Sequence, residues 1–359
     1  MKKRIPAVTL FLCLMVQSLL LTSCQGAGKK PLEKFSAYSF EYFDTVTSIV
    51  GYEETREEFD RVSEGILAEL KEYHRLFTVY KRYEGLENLC TVNDVVDGAH
   101  RTVQVDRRII DLLLFAKEMY QRTGGRVNIA MGSVLSIWHD YRQEGSEDPS
   151  AAKLPPMEKL EEAAKHTDIN KLVIDEEACT VTLTDPKMRL DVGAVAKGYA
   201  VEMVARGLEE KGITGYVLNV GGNVRTVGVK GDGEKWIAGI ENPAGDAEEA
   251  YIAYLALGGE SLVTSGSYQR FYVVNGKAYH HIIDPDTLMP GEGYQSVSVV
   301  CKSSAEGDVL STALFCMSPE AGMALVNSMP GVEAIWVLSD GTRLTSPGFA
   351  AYTTALPEG

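Results

Sequence analysis

The sequence is short of positive charge and poor in cysteine, and both shortages narrow its function. Against 50 acidic residues stand 35 lysines and arginines, a formal net charge of −15. A nucleic-acid partner would want a basic face, so that class is excluded. Any phosphate ligand must be held by local N–H groups, a lysine or a metal ion, because the field of the whole chain repels it. Six cysteines are spread over 359 residues with no Cys-x-x-Cys pair. Leaving aside Cys13 and Cys24 near the N-terminus, the remaining four (Cys90, Cys179, Cys301 and Cys316) are widely spaced and suggest neither a zinc site nor a disulfide scaffold. A chain this long needs no staples, so buried free thiols are the expectation. No fixed-period repeat is present, and the apolar run from Leu10 to Leu21 is too short to span a bilayer comfortably.

That run belongs to a leader. Lys2, Lys3 and Arg4 form a basic n-region, Leu10 to Leu21 the apolar h-region, and Leu21-Thr22-Ser23-Cys24 follows. The pattern is similar to the bacterial lipoprotein signal, in which cleavage before the cysteine is coupled to its lipidation. The expectation is a signal peptide over 1–23, lipidation at Cys24 and a tether over 24–38. The protein would then sit on the extracytoplasmic face of the cell membrane, anchored but not spanning.

Composition (45% hydrophobic, 24% charged) is that of a soluble globular fold. Phe40 to Tyr52 alternates as a strand, and Glu57 to Phe77 carries a helical stripe. Asp106 caps a second helix that stops at Thr123-Gly124-Gly125. Residues 141–157, charged and rich in proline, predict an exposed excursion before a short helix. From Tyr216 onward, alternating segments separated by Gly/Asp turns predict antiparallel sheet, closed by helices over Gly307–Met317 and Pro319–Met329. The class is α+β.

Four stretches could carry chemistry. In Asp191-Val192-Gly193-Ala194-Val195-Ala196-Lys197-Gly198-Tyr199-Ala200 a strand through Met188 and Leu190 is expected to run into a helix. The Gly/Ala join lets backbone N–H groups approach a phosphate. Taken alone, the stretch is equally a βα turn with a solvated lysine. Asn219-Val220-Gly221-Gly222-Asn223 ends a buried strand in paired glycines, as a tight turn also would. Thr264-Ser265-Gly266-Ser267-Tyr268 precedes His280-His281-Ile282-Ile283-Asp284-Pro285, where a histidine beside hydroxyls suits a base, or else a structural role. Asp308, Ser311 and Thr312 share one helix face, a hard-oxygen set that suits Mg²⁺ as well as a simple helix cap.

Together these stretches resemble the bacterial flavin transferase family, the ApbE-like FAD:protein FMN transferases. The family signature runs Asp-x-x-(Ala/Gly)-x-Ala-Lys-Gly-Tyr-Ala, Asn-x-Gly-Gly, Thr-Ser-Gly-x-Tyr, His-Ile-Ile-Asp-Pro and Asp-x-x-x-Thr-Ala-Leu. Here these stand in order at Asp191–Ala200, Asn219–Gly222, Thr264–Tyr268, His281–Pro285 and Asp308–Leu314. The match is looser upstream. Thr45 follows Phe43-Asp44 where Met-Gly-Thr is usual, and Gly125-Arg126-Val127-Asn128 replaces Gly-Ala-Phe-Asp.

The resemblance implies a T-fold-like core of mostly antiparallel sheet with packed helices, and a flavin transferase domain over 39–355. It implies FAD as substrate and Mg²⁺ at the diphosphate. FMN would pass to a threonine hydroxyl of an acceptor protein, a membrane redox subunit, with release of AMP. Carried over by motif, Asp308, Ser311, Thr312 and the carbonyl of Ala194 are the expected metal site. Phe43, Tyr80, Arg126, Val127, Asn128, Asp191, Lys197 and His281 are expected at the FAD, with His281 and Asp308 catalytic. Two other functions use the same residues: a Mg²⁺-dependent FAD pyrophosphatase, and a flavin-binding lipoprotein without chemistry.

Overall fold

The structure, a computed structural model, describes residues 31–245 and 249–355. The leader and the expected lipidation site at Cys24 lie outside the described residues. Among those described, no helix is long and apolar enough to cross a membrane.

An antiparallel sheet forms the spine. Its strands are β1 (Glu33–Ser39), β2 (Thr47–Glu53), β3 (Tyr216–Val220), β4 (Asn223–Val227), β5 (Ser261–Gly266), β8 (Tyr294–Cys301), β9 (Glu333–Leu338) and β10 (Arg343–Thr345), side by side in that order. A two-stranded hairpin, β6 (Phe271–Val274) and β7 (Lys277–His280), lies between β5 and β8 in the chain. The strands form where β-branched and aromatic residues alternate, and β8, whose residues are almost all buried, is the apolar middle of the sheet.

Helix α1 (Arg56–Phe77) starts at Thr55, whose hydroxyl accepts from the Glu58 N–H at 3.2 Å. It buries Phe59, Ile66, Leu70 and Phe77, the stripe expected from the sequence. Helix α2 (Arg107–Arg122) is capped by Asp106. Helices α4 (Ala196–Glu210) and α5 (Ser304–Phe315) are apolar on most faces because they are packed on most faces, against each other and against β4, β5 and β8. The α+β class holds.

Three local expectations are corrected. Phe40 to Tyr52 is not one strand: β1 and β2 form a hairpin, so the chain reverses over 40–46, and β1 begins at Glu33, within the stretch expected as tether. The approach through Met188 and Leu190 is not a strand either. A single parallel bridge joins Arg189 to Met131, and the Asn93 amide takes the place of a strand partner for Leu190. It accepts from the Leu190 N–H at 2.7 Å and donates to its carbonyl at 2.9 Å. Finally, helix α3 (Gly132–Glu147) takes residues 141–147 of the expected excursion, which is confined to 148–156. Its Gly145 is buried against the Tyr272 ring of β6, where a Cβ would come within 2.7 Å.

Candidate active site

The site begins where α4 and α5 cross. Lys197 Nζ lies 2.9 Å from Asp308 Oδ1, and the Gly198 N–H donates to Asp308 Oδ2 at 2.7 Å. Only glycine fits at 198: an added Cβ would stand 2.4 Å from Asp308 Cβ and 2.5 Å from the Ser304 carbonyl. The N-terminus of α4 has no side-chain cap of its own, and the Asp308 carboxylate fills that role from the neighbouring helix. The helix entrance therefore does not hold all its donors free for a phosphate, as the sequence suggested; one is spent on Asp308.

On the next turn of α5, Ser311 and Thr312 meet β5. Ser265 Oγ is 2.9 Å from Ser311 Oγ and 3.3 Å from Thr312 Oγ1. The two α5 hydroxyls differ. Ser311 is fully buried and donates back to the Asp308 carbonyl at 3.1 Å, whereas Thr312 is partly exposed. The Ser311 hydroxyl is thus occupied by the fold, and Thr312 is the one open to a ligand.

Beneath this crossing sits a buried ion network. Glu202 Oε2 accepts from Arg225 Nε at 3.1 Å and from the Ser304 N–H at 2.8 Å, and Arg225 also reaches Glu209 at 2.9 Å. Ser304 hydrogen-bonds the Asn223 Oδ1, leaving Asn223 Nδ2 buried without a partner and facing the Gly198 backbone.

The β3–β4 turn links this region to a second group. Gly221 and Gly222 have φ of +56° and +82°. A Cβ on Gly221 would meet the Thr45 hydroxyl at 2.4 Å, and one on Gly222 would face the Gln269 amide at 3.8 Å. The paired glycines thus let the turn approach the 40–46 reversal, where Phe43 and Asp44 adopt φ of +56° and +51°. The Phe43 N–H donates to His74 Nδ1 at 3.2 Å, and Arg270 Nη2 donates to the Asp44 carbonyl at 3.4 Å.

His281 follows the β6–β7 hairpin. Its Nδ1 lies 3.2 Å from the Arg270 carbonyl. A carbonyl can only accept, so Nδ1 carries the proton and Nε2 presents a lone pair. Burial, followed by the charges of Arg270 and Arg142, pushes its pKa down to about 3. His281 is a neutral imidazole at ordinary pH. Its neighbour His280 is different: Nε2 meets the Gly291 carbonyl at 2.8 Å, Nδ1 accepts from the Ile282 N–H at 3.2 Å, and the ring lies edge-on to Phe315. His280 is structural.

Arg142 lies within electrostatic reach of His281, and Tyr80, His139 and Asp191 lie around Arg142. The rings of Tyr80 and His139 stack with centroids 5.0 Å apart, and Arg142 Nη2 donates to His139 Nδ1 at 3.2 Å. Asp191 accepts from the Gly193 N–H at 2.8 Å, and burial raises its pKa. Tyr80 is largely exposed, but desolvation around its hydroxyl and then the Asp191 charge push the phenol up to about 12. His139, Arg142 and Arg270 are not singled out by the sequence. The first two lie on the stretch of α3 bordering the expected excursion, where a charged and aromatic helix face gives no signal of its own.

Three residues expected at the FAD make contacts of their own within the fold. Arg126 pairs with Asp284 at 3.4 Å and with Asp286, on the wall of a separate open cavity of about 1660 Å³ whose lining includes none of Lys197, Asp308, Thr312 or His281. Val127 is buried in the main core. Asn128 donates to the Thr167 carbonyl at 2.8 Å and accepts from the Ala130 N–H at 2.9 Å, so its amide is saturated by backbone.

The model of the ApbE family matches residues 43–336, which span every element described above from the 40–46 reversal to β9. The chain belongs to the ApbE family. A FAD:protein FMN transferase of Klebsiella pneumoniae (strain 342) is 34% identical over 272 residues, 73% of this chain and 81% of that protein. One of Treponema pallidum (strain Nichols) is 31% identical over 261 residues, 68% and 70% of the two chains. The crystal structure of the ApbE protein of Thermotoga maritima superposes with a TM-score of 0.77 at 27% identity, over 90% of this chain and 100% of that one. The flavin transferase ApbE of Vibrio cholerae, 23% identical, shares the fold with a TM-score of 0.72 over 90% and 100% of the two chains. This ApbE-family protein is an enzyme, a flavin transferase.

Proposed function

We propose that this ApbE-family protein is a magnesium-dependent FAD:protein FMN transferase that moves FMN from FAD onto a threonine hydroxyl of an acceptor protein and releases AMP. The observation that carries the reading is the Lys197–Asp308 pair at 2.9 Å, set against the Thr312 and Ser265 hydroxyls. Among the described residues no group of three or more His, Cys, Asp or Glu could hold a metal ion by themselves. One carboxylate, the Thr312 hydroxyl and the Ala194 carbonyl would instead make a hard-oxygen set that needs substrate phosphate and water to complete it, as Mg²⁺ prefers. When bound, the ion supplies positive charge at the diphosphate.

The chain's own residues do the rest. Asp191 and Lys197 border the diphosphate, and Tyr80 offers a ring face. The acceptor threonine oxygen forms a bond to the phosphorus of the FMN half. The bond from that phosphorus to the bridging oxygen breaks, and AMP leaves with the electron pair. His281 Nε2 takes the hydroxyl proton, since Nδ1 is held by the Arg270 carbonyl, and the charge of the bound diphosphate offsets the Arg270 and Arg142 charges that weaken this base in the free site. Lys197 keeps N–H donors for the leaving phosphate. Lipidation at Cys24 would place this chemistry on the outer face of the cell membrane, beside membrane redox subunits as acceptors.

The test is incubation of the protein with FAD, Mg²⁺ and a threonine-containing acceptor peptide, read by mass and by AMP release. FMN joined to the peptide with one AMP per transfer is the expected result. AMP release that needs no acceptor would make the protein a pyrophosphatase, and FAD binding without AMP would make it a carrier.

A further inference from the structure

The charge at the α4–α5 crossing is already balanced. Lys197 lies 2.9 Å from Asp308, so that pair presents little net charge to an incoming anion. A chain of net charge −15 must still attract a substrate whose diphosphate carries two negative charges. The cations left over stand beside it. Among the described residues, neither Arg142 nor Arg270 forms an ion pair with a carboxylate. The polar contacts of their guanidinium groups are His139 Nδ1 for Arg142 at 3.2 Å and the Asp44 carbonyl for Arg270 at 3.4 Å.

The fold brings the two into electrostatic reach of each other. Arg142 rides on α3, which is pinned to the hairpin segment by Gly145 against Tyr272 and by Trp138 Nε1 donating to the Leu288 carbonyl at 2.9 Å. Arg270 sits at the foot of β6, its carbonyl taking both the N–H and Nδ1 of His281, at 3.1 and 3.2 Å. The two guanidiniums repel each other and both repel a proton on His281. Asp191 and Asp44 are the carboxylates in electrostatic reach of this group. Asp191 is tied to the Gly193 N–H and pairs with neither arginine. Holding two like charges together, one of them desolvated, costs stability, and a bound anion would repay it.

We propose that Arg142 and Arg270 form a two-guanidinium clamp that binds the diphosphate of the flavin dinucleotide beside His281, and that this clamp, not Lys197, supplies the attraction for the anion. The inference rests on the reading of FAD as substrate. Guanidinium groups suit the task because their planar forks match two phosphate oxygens at once. The stacked Tyr80–His139 pair gives the clamp an aromatic wall.

The experiment measures binding of FAD and of riboflavin, which has the same ring system but no phosphate, to the full chain and to Arg142→Gln and Arg270→Gln. Each variant is expected to weaken FAD at least tenfold, to leave riboflavin within twofold, and to flatten the dependence of FAD affinity on salt. Arg270 is exposed, so its variant tests the clamp even if Arg142→Gln folds poorly, and Arg142→Lys, which keeps the charge, should recover part of the loss. FAD affinity unchanged in Arg270→Gln, or riboflavin weakened as much as FAD, overturns the clamp while leaving FAD as substrate. An unaltered chain that does not bind FAD at all overturns both.

Discussion

Lys197 and Asp308 are 111 residues apart in the chain and 2.9 Å apart in the fold. The contact joins the first turn of α4 to the middle of α5, and the same carboxylate caps α4 through the Gly198 N–H. One side chain therefore has two duties, one electrostatic and one structural, and a substitution at 308 disturbs both.

Asp308→Ala should lower FAD-dependent AMP release by about a hundredfold or more, the scale of losing a main charge-positioning group. It should also cost about 1–3 kcal/mol of stability, because the buried Gly198 N–H loses its acceptor. Asp308→Asn keeps an oxygen for that N–H. It should recover most of the stability and little of the activity. Steady-state kinetics with urea unfolding on both variants separates the two duties; equal recovery of both in Asp308→Asn would show that charge at this position does not matter.

Gly198→Ala opposes two effects of different size. Alanine is favoured over glycine inside a helix by about 1 kcal/mol. Here the added methyl would stand 2.4 Å from Asp308 Cβ and 2.5 Å from the Ser304 carbonyl, backbone that cannot swing away. Overpacking of this kind costs about 1–3 kcal/mol, and the clash involves two helices, so the upper end should apply. A net destabilisation near 2 kcal/mol is expected from denaturant unfolding, with a parallel loss of activity as α4 and α5 are pushed apart. A stabilised variant would mean the helices are not in contact here.

His281 makes a pH prediction with a definite sign. Its pKa falls from an ordinary 6.5 to about 3, chiefly through burial and then through Arg270 and Arg142. The unfolded chain therefore binds this proton more readily than the folded one. The contribution of His281 to stability is full above pH 6.5 and is lost as pH falls toward 3. Half-buried His74 and His280 shift in the same direction, so the measurement is a difference. Unfolding free energy compared between pH 7 and pH 4.5 should drop less in His281→Gln than in the unaltered chain. The acid limb of kcat/KM should likewise lie below pH 6. An identical pH dependence in the variant, or a limb at 6.5, would place His281 in open solvent.

Much of this was legible in the sequence, for a physical reason. The stripes of α1 and α4, the caps at Asp106 and Ser318, and the antiparallel run from Tyr216 are local patterns, and they are found where expected. Lys197, Asp308 and Thr312 could be brought together because family motifs tie together residues that local periodicity cannot. The failures are contacts that local pattern does not encode. Leu190 has no strand partner because Asn93, 97 residues earlier, supplies its hydrogen bonds. Helix α3 persists past Tyr141 because β6 covers Gly145. Arg142 and Arg270 carry no local signal, and only the fold brings both within reach of His281. Asn128 and Arg126 depart from the family pattern, and each found a partner within reach, the Thr167 carbonyl and Asp284.

Glu202 should prove the most costly position outside the site itself. It is 2% exposed and Arg225 is 1% exposed, so their charges are out of water and depend on each other. Glu202 Oε1 accepts from Arg206 Nε at 2.8 Å, while Oε2 takes Arg225 and the Ser304 N–H that opens α5. Glu202→Gln leaves the buried Arg225 with only the half-exposed Glu209 as an ion partner and turns an amide donor toward other donors, a loss of about 3 kcal/mol, the lower end for breaking a buried pair. The double variant Glu202→Leu with Arg225→Met removes both charges at once. It should lose less than Glu202→Gln alone, because the penalty lies in the unpaired ion and not in the missing contact. Yet α5 would then begin without its acceptor at Ser304, so Asp308 would sit less firmly and KM for FAD should rise even where stability returns. Thermal unfolding of the three proteins gives the order of stabilities. A double variant less stable than Glu202→Gln would show that this ion network contributes net stability to the α4–α5 crossing rather than only fixing its geometry.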